Sequence, residues 1–129
     1  MIVDDEPALL MCLLPFLEDD CHEIYTANNG QEALKIYHEH KLDCILSDIN
    51  MPVMTGLELV QAVRKENATI PFIFFTAYEN EANMKAALRY GAFDFIQKPM
   101  YENLKEIIFA AYNNVTEHQS VLDKFKNIL

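Results

Sequence analysis

The sequence predicts an α/β fold in which a parallel five-stranded sheet is covered by helices on both faces. Five short apolar runs alternate along the chain with segments whose apolar residues recur at helical spacing. The runs are too apolar to leave one face of a strand in water, which is typical of parallel strands joined by helical crossovers. Because such crossovers are right-handed, most of the remaining topology follows.

Each repeating unit begins with a candidate strand and continues with a helical segment. The candidate strands are residues 2–3, 24–27, 44–46, 72–75 and 93–96. The helical segments are marked by Leu9, Leu13, Phe16 and Leu17; by Ala33, Leu34 and Tyr37; by Leu57, Val60 and Val63; and by Met84, Ala87 and Leu88. Pro15 falls inside the first segment and removes a backbone hydrogen bond, so we expect a bent or interrupted first helix.

Composition indicates one domain and disfavours several classes of function. The 129 residues are 51% hydrophobic, enough for a single domain with its own core. The net charge of -10 has the wrong sign for neutralising nucleic-acid phosphates, so we expect no direct nucleic-acid contact. The longest apolar stretch, residues 8–17, is too short to cross a bilayer, and no secretory signal is evident, so we expect a cytoplasmic protein without membrane contact. Cys12, Cys21 and Cys44 lack metal-ligand spacing and are predicted to be reduced core residues.

Polar side chains follow the candidate strands where those strands end. Asp4 and Asp5 follow the first strand, Asp48 the third, Thr76 the fourth and Lys98 the fifth. Because the carboxyl ends of parallel strands meet at one edge of a sheet, we expect these groups to converge. Neighbouring carboxylates repel each other unless a cation joins them, and Mg2+ prefers carboxylate and carbonyl oxygens. The sequence therefore predicts a site for Mg2+, or Mn2+, together with a phosphoryl group.

Short motifs stand in order at these strand ends and at helix starts. They are Val3-Asp4-Asp5-Glu6-Pro7, Asn29-Gly30 before Glu32-Ala33-Leu34, Asp48-Ile49-Asn50-Met51-Pro52 with Gly56, Thr76-Ala77, Gly91-Ala92 and Lys98-Pro99. Together they resemble the receiver domain of two-component response regulators, of the chemotaxis-receiver type, from Met1 to about Tyr112. The resemblance implies a flavodoxin-like, doubly wound (βα)5 fold with strand order 2-1-3-4-5.

The resemblance also implies a role for each residue at the sheet edge. Asp48 would be the phosphoacceptor, acting as a nucleophile with the help of Thr76 and Lys98. The implied metal ligands are Asp4, Asp5, Asp48 and the backbone carbonyl of Asn50, with Asp5 binding directly and Asp4 through water. Thr76 and Phe95 would form the switch that reports phosphorylation. Asn50 and Tyr78 would tune hydrolysis of the phosphorylated state, which a bulky Tyr78 is expected to slow.

The function implied is that of a phosphoacceptor module in a two-component phosphorelay. Its phosphodonor would be a histidine kinase, a phosphotransfer protein or a small phosphodonor, and its output would pass through the last two helices and the fifth strand to an output domain. Such a module is not an enzyme itself, although it could belong to a hybrid sensor kinase or a cyclase. A phosphohydrolase using an Asp-x-Asp motif is disfavoured because Asp48-Ile49-Asn50 lacks the second acid. A receiver-like dimerisation module that works without phosphorylation stays open as the alternative.

The C-terminal part of the chain predicts an extended helix. No Gly or Pro occurs from Tyr101 to Leu129. Seam positions alternate at spacings of four and three, as in a coiled coil: Leu104, Ile108, Ala111, Val115, His118, Leu122, Phe125 and Leu129. We therefore expect a homodimer through this helix; alternatively, its first half packs on the sheet and its second half frays. The expected divisions are a receiver domain, 1–112, and a helical extension, 113–129, that links to an output domain.

Overall fold

The computed structural model describes residues 1–19, 21–77, 80–98 and 103–113. Its strands are β1 (Ile2–Val3), β2 (Thr26–Ala27), β3 (Ile45–Ser47), β4 (Phe72–Thr76) and β5 (Asp94–Gln97). The helices between them are α1 (Pro7–Leu17), α2 (Gly30–Glu39), α3 (Gly56–Glu66) and α4 (Glu81–Arg89). A fifth helix, α5, is described over residues 104–113.

The strands form one parallel sheet in the order β2-β1-β3-β4-β5, so the predicted flavodoxin-like α/β fold is confirmed. β1 lies between two partners, with Val3 opposite Ala27 on one side and Ser47 on the other. At the far edge, Thr76 of β4 lies opposite Gln97 of β5. The carboxyl ends of β1, β3, β4 and β5 therefore lie side by side along one edge of the sheet.

The sheet separates two apolar cores. Phe72 and Phe74 of β4 pack with α2, α3 and α4, whereas Ile73 and Phe75 pack with α1 and α5. This alternation is the two-residue period of a strand. All four side chains are buried, which explains why the strand carries no polar residue before Thr76.

Polar caps set the starts of three helices. In each, a side chain accepts a hydrogen bond from the backbone N–H three residues later, which stabilises the helix by about 1 kcal/mol. The pairs are Asn29 with Glu32 in α2, Thr55 with Glu58 in α3, and Asn80 with Asn83 in α4. Each cap starts its helix directly after the preceding loop, so the position of that loop at the carboxyl edge of the sheet is fixed.

α1 continues through Pro15, so the expected interruption is absent. The helix extends to Leu17, and the Glu18 N–H donates to the Leu14 carbonyl. Pro15 cannot donate to the carbonyl of Met11, four residues earlier. Both residues lie on the exposed side of the helix, where water can replace the missing donor.

Two helices bury less than their apolar spacing predicted. In α4 only Ala87 is buried, and Met84 and Leu88 are exposed; Phe16 of α1 is also exposed. Phe93, predicted to lie in the fifth strand, precedes β5 and is exposed as well. Periodicity shows which residues share a face of a helix, but the packing of neighbouring elements decides which face is covered.

α5 packs on the sheet, as the alternative to a coiled coil predicted for the first half of the C-terminal helix. Leu104 and Ala111 are fully buried in the core shared with α1, and Ile108 packs partly against it. The seam positions from Val115 onward lie outside the described residues, so dimerisation through them stays a prediction. Within the described ranges, no helix has the length and apolarity needed to cross a membrane.

All three cysteines are in the reduced form, as predicted, but their exposure differs from the prediction. Cys12 is exposed on α1 and not part of the core, because α1 turns its opposite face to the sheet; Cys21 and Cys44 are partly buried. Burial raises the pKa of the Cys44 thiol to about 11. At pH 8 about one such thiol in a thousand is ionised.

We expect iodoacetamide at pH 8 to alkylate Cys12 roughly a hundredfold faster than Cys44, because the thiolate is the nucleophile. Peptide mass spectrometry over a time course measures both rates. The same experiment in strong denaturant is the control, and there the two rates should converge. Equal rates in the native protein would contradict the burial of Cys44.

Candidate functional site

Four polar residues lie at the carboxyl edge of the sheet, as the strand ends predicted. Asp4 follows β1, Asp48 follows β3, Thr76 ends β4 and Lys98 follows β5. Ladder hydrogen bonds hold these residues in place: the Asp48 N–H donates to the Val3 carbonyl at 2.9 Å, and the Lys98 N–H to the Thr76 carbonyl at 2.8 Å. Asp4, Asp48 and Thr76 are 2%, 7% and 1% exposed, so this polar group lies almost wholly out of water.

Lys98 is the cationic partner of two buried carboxylates. Its Nζ donates to Asp4 Oδ2 at 2.7 Å and to Asp48 Oδ2 at 3.2 Å. A third carboxylate oxygen, Oε1 of the exposed Glu6, lies 3.9 Å from the same nitrogen. Burial alone would lower the pKa of Lys98, but hydrogen bonds and charges from Asp4 and Asp48 outweigh it, so the pKa is raised. Lys98 therefore remains an ammonium at neutral pH.

Asp4 has the environment of a carboxylate that needs a cation. Burial raises its pKa above the ordinary value, and the nearby charge of Asp48 adds to the effect. Hydrogen bonds from Lys98 and from the Glu6 N–H, the latter at 2.9 Å, act in the opposite direction without cancelling it. A further positive charge beside Asp4 would therefore stabilise its ionised form.

Asp5 joins Asp4 and Asp48 in a carboxylate cluster. One oxygen from each lies within 4.8 Å of the others; Asp5 is exposed and the other two are buried. With the ammonium of Lys98, three negative charges and one positive charge leave a net charge of -2, which a divalent cation would balance. Oxygen donors with one side open to solvent suit Mg2+, which retains several waters. The residues present therefore fit the predicted cation.

Asp48 is held at both carboxylate oxygens. Its Oδ1 accepts from the Ile49 N–H at 2.7 Å, and its Oδ2 accepts from Lys98. The Ser47 hydroxyl donates to the Asp48 backbone carbonyl at 2.8 Å. Each carboxylate oxygen can take part in one further interaction, so the group is fixed in direction while still able to bind or react.

The loop after Asp48 is strained and tied to α2. Val53 has φ 68°, an unfavourable conformation for a β-branched residue that costs about 1–3 kcal/mol. It lies at the centre of a three-residue turn in which the Met54 N–H donates to the Pro52 carbonyl at 2.7 Å. The Met54 carbonyl accepts from the Gly30 N–H at 3.0 Å, which joins the loop to the start of α2. Asn50, the expected carbonyl ligand, lies exposed in this loop.

Thr76 and Phe95 lie on the same face of the sheet. Thr76 follows Phe74 by two residues on β4, and Phe74 lies opposite Phe95 in the register with β5. Phe95 is partly buried, and its ring centroid is 6.2 Å from that of Phe74. Tyr78, the other residue expected to tune hydrolysis, lies outside the described residues.

Sequence reasoning missed two contributors to this site. Glu6 supplies a backbone donor to Asp4 and an exposed carboxylate near Lys98. Ser47 is buried and holds the backbone of Asp48. Glu6 stands inside the motif Val3-Asp4-Asp5-Glu6-Pro7 and Ser47 directly precedes Asp48, but neither position indicates where a side chain points.

Comparison with known proteins identifies a matching family. A family model described as the response regulator receiver domain matches residues 1–110. The protein-glutamate methylesterase/protein-glutamine glutaminase of Methanococcoides burtonii is 36% identical over 133 aligned residues, which include 100% of this chain and 37% of that protein. The chain spans about a quarter to two fifths of the length of the curated relatives it matches.

Solved structures agree with this match. A response regulator receiver domain protein from Methanospirillum hungatei has a TM-score of 0.86 and 29% identity, over 91% of this chain and 94% of that one. The response regulator TrrA from Thermotoga maritima, solved in complex with Mg(2+)-BeF, has a TM-score of 0.77 and 32% identity, over 85% of this chain and 95% of that one.

Proposed function

Because this chain belongs to the response regulator receiver domain family, we propose that it accepts a phosphoryl group on Asp48 in a Mg2+-dependent reaction. One observation carries the proposal: Asp48 is buried beside a lysine ammonium and within a cluster of three carboxylates. A carboxylate can attack phosphorus only where positive charge offsets that of the phosphoryl oxygens. The similarity to TrrA, which binds Mg(2+)-BeF, supports the same chemistry here.

The proposed step forms one bond and breaks one. An Asp48 carboxylate oxygen attacks the phosphorus of the donor, and the bond from phosphorus to the leaving atom breaks, which leaves an acyl phosphate. Lys98 is close enough to Asp48 to pair with one phosphoryl oxygen, and we assign the Thr76 hydroxyl to another. Bound Mg2+ would supply Lewis-acid stabilisation of the remaining charge. Its proposed ligands are Asp4, Asp5, Asp48 and the backbone carbonyl of Asn50.

We infer that Thr76 and Phe95 report the phosphorylated state. A Thr76 hydroxyl drawn toward a phosphoryl oxygen would leave space beside β5, on the face that carries Phe95. Phe95 has no hydroxyl, so packing alone would hold its inward position. Asn50 and Tyr78 are proposed to tune how readily water attacks the acyl phosphate.

The proposed donor is a histidine kinase or a phosphotransfer protein, with small phosphodonors as substitutes. Receiver domains are signalling domains and not catalysts in their own right. Since the chain spans less than half of its curated relatives, we propose that residues 113–129 connect the receiver domain, 1–112, to an output domain. Homodimerisation through that segment remains part of the proposal, and no direct nucleic-acid contact is proposed for the receiver domain.

Magnesium removal tests the proposal directly. Intact-protein mass spectra after addition of acetyl phosphate should show a single phosphoryl increment with Mg2+ and none with excess EDTA, because the carboxylate cluster then lacks its divalent cation. Restoring Mg2+ to the chelated sample should restore the increment, which controls for damage to the protein. An equal increment in EDTA would contradict the metal dependence. No increment under any condition would favour the phosphorylation-independent dimerisation module.

A further inference from the structure

α4 is attached to the rest of the domain mainly at its C-terminal end. Of its residues only Ala87, in the last turns, is buried, and Tyr90 directly after the helix packs partly against the same core. By contrast, α3 buries Gly56, Leu59, Val60 and Val63 along its whole length. The first turns of α4 therefore contribute little apolar contact, and their position depends weakly on the core.

Arg64, on α3, holds the turn that follows α4. Its Nε donates to the Tyr90 carbonyl at 2.7 Å, and its Nη2 to the Gly91 carbonyl at 3.1 Å. Its Nη1 donates to two carbonyls in the segment between α3 and β4, those of Ile70 at 2.8 Å and Asn67 at 3.2 Å. One guanidinium thus joins the end of α3, the approach to β4 and the turn between α4 and β5.

The partners of Arg64 are unusual for a half-buried cation. Among the described residues no carboxylate lies within 4 Å of its guanidinium, and four backbone carbonyls take that place. Three of these carbonyls, those of Asn67, Tyr90 and Gly91, directly follow the C-terminal ends of α3 and α4, where helix dipoles favour a positive charge. The fourth, that of Ile70, lies just before β4. The planar guanidinium of an arginine has several donors in fixed directions, so it can bind carbonyls on separate elements at once. A lysine ammonium has fewer donors, and their directions are not fixed.

We propose that Arg64 holds the C-terminal turn of α4 in place, a role that we call the pin. When the surface formed by α4 and β5 rearranges, this turn stays fixed and the N-terminal end of α4 moves. The exposed apolar residues Met84 and Leu88 would then shift by different amounts, because Met84 lies farther from the pin. The link to signalling rests on the proposed function, since phosphorylation of Asp48 supplies the change that α4 follows.

Amide hydrogen exchange on the full chain tests the pin without phosphorylation. In the wild type, amides at 87–92 should exchange more slowly than those at 81–86. Arg64→Gln should speed exchange at 87–92 by about tenfold or more, since hydrogen bonds to a charged donor are lost. Arg64→Lys should give an intermediate effect because it keeps the charge but not the planar guanidinium. Lys65→Gln, the same charge loss at the neighbouring exposed position of α3, should leave both segments unchanged.

Protection of β4, residues 72–76, is the internal reference for general unfolding. Unchanged protection at 87–92 in Arg64→Gln would overturn the pin, and so would faster exchange that is equally large in β4.

A second arm of the experiment adds acetyl phosphate and Mg2+. In the wild type, we expect phosphorylation to change the exchange rate only of the amides at 81–86. In Arg64→Gln, we expect the change in exchange rate to extend to 87–92. An equal change in exchange rate in both segments of the wild type would overturn the proposal that α4 rearranges about its C-terminal turn. Absence of the phosphoryl increment would instead count against the proposed function, while the first arm still decides the pin.

Discussion

Asp48→Asn should abolish the phosphoryl increment from acetyl phosphate while leaving the domain folded. The amide is not a nucleophile of comparable strength, so the acyl phosphate cannot form. Its oxygen can still accept the Ile49 N–H that Asp48 Oδ1 accepts at 2.7 Å, so the local backbone should keep its conformation. Lys98 retains its 2.7 Å contact to Asp4, and one carboxylate repulsion is removed. Intact-protein mass spectrometry and circular dichroism measure the two outcomes.

Asp94→Asn is the matched control. Asp94 Oδ1 also accepts the N–H of the next residue at 2.7 Å, but this carboxylate is exposed and far from the acidic cluster in sequence and strand position. The variant should take up one phosphoryl group as the wild type does. If Asp48→Asn still gained the increment in Mg2+, another side chain would be the acceptor, and peptide mapping would locate it.

Gly56→Ala should destabilise the domain by roughly 3 kcal/mol or more through overpacking. A Cβ at this position would overlap the backbone carbonyl oxygen of Asp48 and would lie 3.1 Å from Cα of Ile49. These are backbone atoms, and the Gly56 N–H donates to the Ile49 carbonyl at 2.8 Å, so neither side can yield without moving β3 or the start of α3. The folded fraction should also be phosphorylated more slowly, because Asp48 would be displaced.

Gly91→Ala provides the comparison for Gly56→Ala. Gly91 has φ +71°, so alanine there carries backbone strain of about 1 kcal/mol, but the nearest atom to its Cβ is 3.7 Å away. Urea unfolding followed by far-ultraviolet circular dichroism gives both free energies, and the chain has no Trp to offer a fluorescence signal. A cost for Gly56→Ala no larger than that for Gly91→Ala would refute the close approach of α3 to the strand end.

Much of the candidate site could be predicted because it depends on local patterns joined by one general rule. Apolar runs located the strands, and the polar residues that end them, Asp4, Asp48, Thr76 and Lys98, had to meet once the strands were parallel. The order of the strands came from the family motifs and not from the periodicity. The assignment of chemistry to these residues remains a proposal that the phosphorylation experiments decide.

Other features carried no usable signal in the sequence. Arg64 looks like any exposed arginine of an amphipathic helix, yet it serves carbonyls up to 27 residues away. Met84 and Leu88 share helical spacing with Ala87 but stay exposed. Each case depends on which distant backbone lies against a side chain, and residue type and spacing do not state that.

The sequence by itself determined the alternation of strands and helices and the polar ends of the strands, because these follow from short-range periodicity. Tertiary structure alone decided that Lys98 bridges Asp4 and Asp48, that Gly56 must leave room for the Asp48 carbonyl, and that Arg64 joins α3 to the end of α4. Those contacts depend on long-range packing, in which a shift of an ångström changes the partner, and so they arise only when the whole sheet has assembled.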